Sequence, residues 1–211
     1  MPKIPPHTRL VIFDCDGVLV DSEPIANAVM AEALSAQGWS MTGPESVARF
    51  KGGHMHQVHA ALEAELGKSV SREWIAEFDA ACRTALVNVK PVDGIAELIA
   101  RVRQAGLLIC VASQGPHEKM AVTLKAAGFD QIFKDRIFSS VDVANPKPAP
   151  DLFLHAAKRC GVSAENCLVI EDSLTGVEAA QAAGMKVIYL NAADEVLDGA
   201  VSARHPDDIN L

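Results

Sequence analysis

Leu10-Val11-Ile12-Phe13-Asp14-Cys15-Asp16-Gly17 is the stretch on which the fold turns. Four apolar residues run without a break and stop at an aspartate. A short apolar run with no polar alternation reads as a strand covered on both faces, as in a parallel sheet. Comparable runs occur at Leu107 to Ala112, Leu168 to Ile170 and Val187 to Leu190, with a weaker one at Ile137-Phe138. Between them lie helix-length segments that end in Gln104-Ala105-Gly106, Ala126-Ala127-Gly128, Arg159-Cys160-Gly161 and Ala182-Ala183-Gly184. A glycine just past the last turn closes a helix by taking the left-handed conformation. Strand, helix, glycine and strand in repeated succession predict an α/β fold with a doubly wound parallel sheet.

The alternation breaks once. From Pro24 to Ala85 no strand pattern appears, and Ile25 to Gln37, His56 to Leu66 and Arg72 to Val87 carry apolar residues at helical spacing. This predicts an all-helical insert over residues 21–90 and a core built from 1–20 and 91–211. A helical insert on an α/β core suggests a lid over a site.

Bulk properties narrow the function. The net charge of −8 sets the chain against nucleic-acid backbones, and no Lys/Arg run offsets it locally. The longest apolar runs fall far short of the roughly 20 residues a membrane span needs. Cys15, Cys82, Cys110, Cys160 and Cys167 are odd in number and lack metal-knuckle spacing. They read as reduced thiols of a cytoplasmic protein. Met1 to Thr8 shows no targeting segment.

Ligands of open α/β sheets bind beyond the carboxyl ends of the strands. The residues that follow each strand are therefore the candidates. They are Asp14-Cys15-Asp16-Gly17, Ser113-Gln114-Gly115 and Glu171-Asp172-Ser173, with Lys147 in the loop Asn145-Pro146-Lys147-Pro148. Asp14, Asp172 and Glu171 are hard oxygen donors, and clustered acids repel unless a cation lies among them. Mg²⁺ favours such a set, with one or two carboxylates, waters and phosphate oxygens. Lys147, Ser113 and nearby backbone N–H groups would hold a phosphate. No P-loop pattern is present, so Asp14 is the candidate nucleophile. Asp16 faces the same way two residues on and is the candidate acid/base.

With these residues in view, Asp14-Cys15-Asp16-Gly17-Val18-Leu19-Val20-Asp21-Ser22-Glu23 resembles the opening motif of the haloacid-dehalogenase superfamily. It is most similar to the phosphatases and mutases of the beta-phosphoglucomutase-like branch. Ser113, Lys147-Pro148-Ala149-Pro150-Asp151, and Glu171-Asp172-Ser173 with Gly176 resemble the later motifs in the family's order. The resemblance implies a Rossmann-like core with a helical cap inserted after the first strand. It implies that Asp14 is nucleophile and metal ligand, and that Asp16 is acid/base and lends its carbonyl to Mg²⁺. It further implies phosphate binding by Ser113 and Lys147, and metal binding by Asp172 with Glu171 in or beside its shell. Arg49-Phe50-Lys51-Gly52-Gly53-His54 resembles the cap's substrate loop, which makes Arg49, Lys51, Gly52 and His54 candidate substrate contacts, with Asp21 beside them in the substrate set. That loop, Ser113-Gln114-Gly115-Pro116 and Lys119-Met120 look most like 6-phosphogluconate phosphatase-type members.

The expected activity is Mg²⁺-dependent hydrolysis of a small phosphorylated sugar or sugar acid through an aspartyl phosphate. The expected partner is that metabolite alone, with no nucleic acid or membrane, and the chain is expected to act as a monomer. A phosphosugar mutase is the alternative. The resemblance weighs against it, because mutases of this branch use a cap histidine where Ala26 follows Pro24-Ile25. A catalytically dead binding module is disfavoured by the intact Asp14 and Asp16. Phosphonate cleavage through an imine on Lys51 suits Asp16 less well.

Overall fold

The computed structural model describes residues 2–50, 60–61, 63–65, 67, 71–190 and 198–211. The chain divides into two compact units, Met1–Asp21 with Lys90–Leu211, and Ser22–Val89.

The first unit is built on a six-stranded parallel sheet. Its strands are β1 (Leu10–Phe13), β2 (Leu108–Ser113), β3 (Ile137–Ser139), β4 (Cys167–Glu171), β5 (Lys186–Leu190) and β6 (Val201–Ala203), in the spatial order β3-β2-β1-β4-β5-β6. All four residues of β1 are fully buried, which is why that strand shows no polar alternation. In register, Phe13 lies between Val111 of β2 and Ile170 of β4. The strand order reverses at β1 and β4, and the crevice beyond their carboxyl ends is where this topology places a ligand.

The helices of this unit are α4 (Ile95–Gln104), α5 (His117–Ala126), α6 (Asp130–Phe133), α7 (Asp151–Arg159) and α8 (Leu174–Ala182). On one face of the sheet Leu152, Phe153 and Ala156 of α7 and Val177 and Ala180 of α8 join Leu10, Ile12 and Val169 in one buried cluster. Each fully buried side chain of this size contributes about 1.5–3 kcal/mol. Phe13 meets Phe133 edge-on, with ring centroids 6.0 Å apart. The predicted helix-ending glycines 106, 128, 161 and 184 all have φ between 69° and 78°.

The second unit contains α1 (Glu23–Ala36), α2 (Gly43–Phe50) and α3 (Arg72–Ala85). Met30, Leu34, Trp39, Trp74 and Phe78 form its core, and the Trp74 and Phe78 rings stack at 5.8 Å. Residues 60–61 and 63–65 are helical. The rest of the helix predicted at 56–66 lies outside the described residues, except for those five. The sequence reading missed α2, whose Gly43-Pro44 start reads as a chain break. Pro is well placed in a first helical turn. Thr42 and Glu45 supply a capping box: Glu45 Oε2 accepts from the Thr42 N–H at 2.7 Å, and the Glu45 N–H donates to Thr42 Oγ1 at 3.4 Å.

The five cysteines are free thiols. Among the described residues no helix is long and apolar enough to cross a membrane.

Candidate active site

After Asp14, whose N–H still reaches β4, the chain leaves the sheet and folds into a tight loop. The Gly17 N–H donates to Val20 O at 2.8 Å, and the N–H groups of Leu19 and Val20 both reach Cys15 O. Gly17 has φ +77°, and a side chain there would put its Cβ 1.9 Å from Asp172 Oδ2. Only a glycine lets the β1 loop and the β4 end come this close.

Asp14 lies at the mouth of this loop, with its N–H bonded to Ile170 O at 2.9 Å. Its carboxylate is buried at 6% exposure. Lys147 Nζ donates to Asp14 Oδ1 at 2.6 Å, to Glu171 Oε1 at 2.6 Å and to Ala112 O at 3.0 Å. One ammonium group therefore ties together the carboxyl ends of β1, β2 and β4. It also sits 4.7 Å above the Phe153 ring. Burial pulls the Lys147 ammonium toward the neutral form, but Asp14 and Glu171 overcome this and hold its pKa above the ordinary lysine value. For Asp14 burial dominates. It raises the carboxyl to about 7 against the attraction of Lys147, and repulsion from Glu171 and Asp16 adds to it.

Glu171 has both oxygens engaged. Oε2 accepts from the Ser173 N–H and the Ser173 hydroxyl, each at 2.9 Å. A Cβ at Gly176 would fall 1.9 Å from the Glu171 carboxyl carbon, so the first turn of α8 leaves room for this side chain.

At the end of β2, Ser113 is buried and its Oγ accepts from the Gly115 N–H at 3.1 Å. The Gly115 Cβ position is 3.5 Å from Ser113 Oγ, 3.7 Å from Asp16 Oδ2 and 3.4 Å from Lys119 Cδ, so these groups surround one spot. Gln114 turns its side chain away from that spot and donates to Lys147 O at 3.3 Å. Asp16 Oδ2 accepts from Lys119 Nζ at 2.8 Å. The sequence reading did not place Lys119 in the site. Lys119-Met120 entered that reading only as part of the phosphatase-type resemblance, and the spacing from Ser113 through a turn into α5 was the signal that could have placed Lys119 beside Asp16.

Of the remaining candidates, Asp21 is exposed, and its N–H bonds to Lys90 O at 2.9 Å. Arg49 belongs to the second unit, where its guanidinium lies 4.7 Å from the Trp39 ring centre. Lys51, Gly52 and His54 lie outside the described residues.

The donor set suits a hard divalent cation. Asp14, Asp16, Glu171 and Asp172 bring four carboxylates, and Lys147 and Lys119 bring two ammonium groups. Counted as ionised, these six side chains sum to −2, a balance that a divalent cation would offset. Among the described residues no three His, Cys, Asp or Glu side chains form a preformed cage. Mg²⁺ asks for less, since it keeps waters and takes one or two carboxylates.

The model of the haloacid dehalogenase-like hydrolases matches residues 8–184. The chain belongs to this family. It is 31% identical over 185 residues to the 6-phosphogluconate phosphatase of Escherichia coli K12, covering 86% of this chain and 82% of that one. It is 35% identical over 214 residues to the chloroplastic protein SUPPRESSOR OF QUENCHING 1 of Arabidopsis thaliana, covering 94% of this chain but 19% of that longer protein. A haloacid dehalogenase family hydrolase from Deinococcus radiodurans, solved with bound phosphate and sodium, superposes with a TM-score of 0.73. It is 30% identical and covers 96% of this chain and 86% of its own.

Proposed function

We propose that this hydrolase is a phosphatase that cleaves phosphomonoesters of small sugars or sugar acids, with Asp14 as nucleophile. The observation that carries the reading is the buried Lys147 ammonium bridging Asp14 and Glu171, with Asp16 two residues beyond. A carboxylate that is buried and held by a fixed cation at a strand end is poised to attack rather than merely to pair. The 6-phosphogluconate phosphatase relative supports the substrate class, and the phosphate bound by the Deinococcus hydrolase supports phosphate as the anion recognised.

In this reading Lys147, the Ser113 hydroxyl and the backbone N–H groups at Gln114 and Gly115 orient the phosphate. An Asp14 oxygen forms a bond to phosphorus while the bond from phosphorus to the ester oxygen breaks. Asp16 protonates that departing oxygen. Asp16 then takes a proton from water, whose oxygen attacks the aspartyl phosphate, releases inorganic phosphate and restores Asp14. Mg²⁺ would be held by the Asp14 and Asp172 carboxylates and the Asp16 carbonyl, with Glu171 behind them. When bound, it would offset the charge of the phosphoryl oxygens. The helical unit over Ser22–Val89 is proposed as the cap that selects the substrate.

Phosphate release from a panel of sugar and sugar-acid phosphates tests the reading. Release is expected with Mg²⁺, and loss is expected in EDTA and in Asp14→Asn. Turnover retained by Asp14→Asn would overturn it.

A further inference from the structure

We propose that Lys119 is a positioning residue whose ammonium fixes the Asp16 carboxylate against the Ser113–Gly115 turn. This rests on the reading of Asp16 as proton donor to the leaving oxygen. Lys119 is the third residue of α5, which begins directly after that turn. One helical turn on, Thr123 is fully buried, bonds back to Lys119 O at 3.2 Å and lies 3.8 Å from Cys15 Sγ. This face of α5 is therefore docked on the loop that carries Asp14, Cys15 and Asp16. The stem of Lys119 runs beside Gly115, where a Cβ would stand 3.4 Å from Cδ. The ammonium then closes on Asp16 at 2.8 Å, across 103 residues of sequence.

The two side chains are 30% and 27% exposed, so the pair is part-buried with water still in reach, and it adds modestly to the fold. The pair does have a geometric consequence. Asp14 and Asp16 repel each other, and Lys119 adds a pull on Asp16 toward the Ser113 side. A proton donor that has swung away cannot reach the departing oxygen, and reach comes before acidity in this kind of catalysis. Lys119 therefore matters most where the leaving group needs the proton.

That dependence supplies the test. In the Mg²⁺-loaded enzyme, kcat/KM reports the steps through transfer of the phosphoryl group to Asp14. It is measured for p-nitrophenyl, p-chlorophenyl and phenyl phosphate with Lys119→Met, Lys119→Arg and Asp16→Asn. Lys119→Met is expected to lose about 10-fold or more on phenyl phosphate and under about 3-fold on p-nitrophenyl phosphate, whose leaving group departs without a proton. Lys119→Arg is expected to recover most of the loss. A loss in Lys119→Met that is equal on every ester, or no loss at all, overturns the proposal. If Asp16→Asn is also insensitive to the leaving group, the reading of Asp16 itself fails. If Asp16→Asn is sensitive and Lys119→Met is not, only the role of Lys119 falls.

Discussion

Replacing Lys147 with methionine would separate the charge at the centre of the site from the space it fills. Methionine keeps an unbranched apolar stem against Phe153 and removes the ammonium that Asp14, Glu171 and Ala112 O share. Lys147 is 3% exposed, so its loss leaves two buried carboxylates facing each other with little water to replace the cation. Breaking a buried pair in this way costs about 3–5 kcal/mol. A chain of this size melts about 2–4 °C lower per kcal/mol, which gives a fall of roughly 10 °C. The assay is thermal unfolding in EDTA at pH 8, so that no divalent ion stands in for the lost charge. The deficit should shrink at pH 5, where the Asp14 carboxyl gains a proton, and it should shrink in Lys147→Met/Asp14→Asn, where one charge is gone. A single variant that melts within about 2 °C of the wild type at pH 8 would refute the reasoning. It would show that the three-way bridge does not hold the strand ends together.

Two further outcomes follow from the same charges and close approaches. With its carboxyl raised to about 7, Asp14 holds a proton in the metal-free fold that the unfolded chain, at 3.8, gives up. Its contribution to stability is full below pH about 4 and is lost as pH rises through about 7. Asp14→Asn should therefore melt above the wild type in EDTA at pH 8, with the gap closing by pH 5. An Asn variant less stable at pH 8 would contradict the assignment. Gly17 and Gly128 share φ +77°, but only at Gly17 would a Cβ strike Asp172, since nothing lies within 4 Å at Gly128. Gly128→Ala should lose roughly 1–2 kcal/mol by chemical denaturation and keep its activity. Gly17→Ala should lose more, together with Mg²⁺ binding by calorimetry, and equal losses in the two would remove Asp172 from the argument.

The strands that could be read from the sequence were those buried on both faces. Leu10 to Phe13 has no polar neighbour to confuse its period, and the strand ends that carry Asp14, Ser113 and Glu171 follow directly from such runs. Val201–Ala203 escaped notice because an edge strand of three residues, with Val201 exposed, leaves no apolar run. The helix at Gly43–Phe50 escaped because Gly43 and Pro44 at its start read as a break and its eight residues make little more than two turns. Lys119 escaped for a different reason. Its partner lies 103 residues away, and only the docking of α5 on the first loop brings the two together.

The Asp21 N–H bonds to Lys90 O, Val20 bridges to Pro91, and the Val92 N–H reaches Leu19 O. The chain thus leaves the sheet-bearing unit and returns to it through two segments stitched side by side. Whatever is spliced between these stitches meets the same pair of anchor points, whether it is long or short. Mutation can lengthen, exchange or rebuild the helical cassette without stretching the strands that hold Asp14. A lineage with this architecture is free to try new inserts while the machinery at the strand ends stays in place.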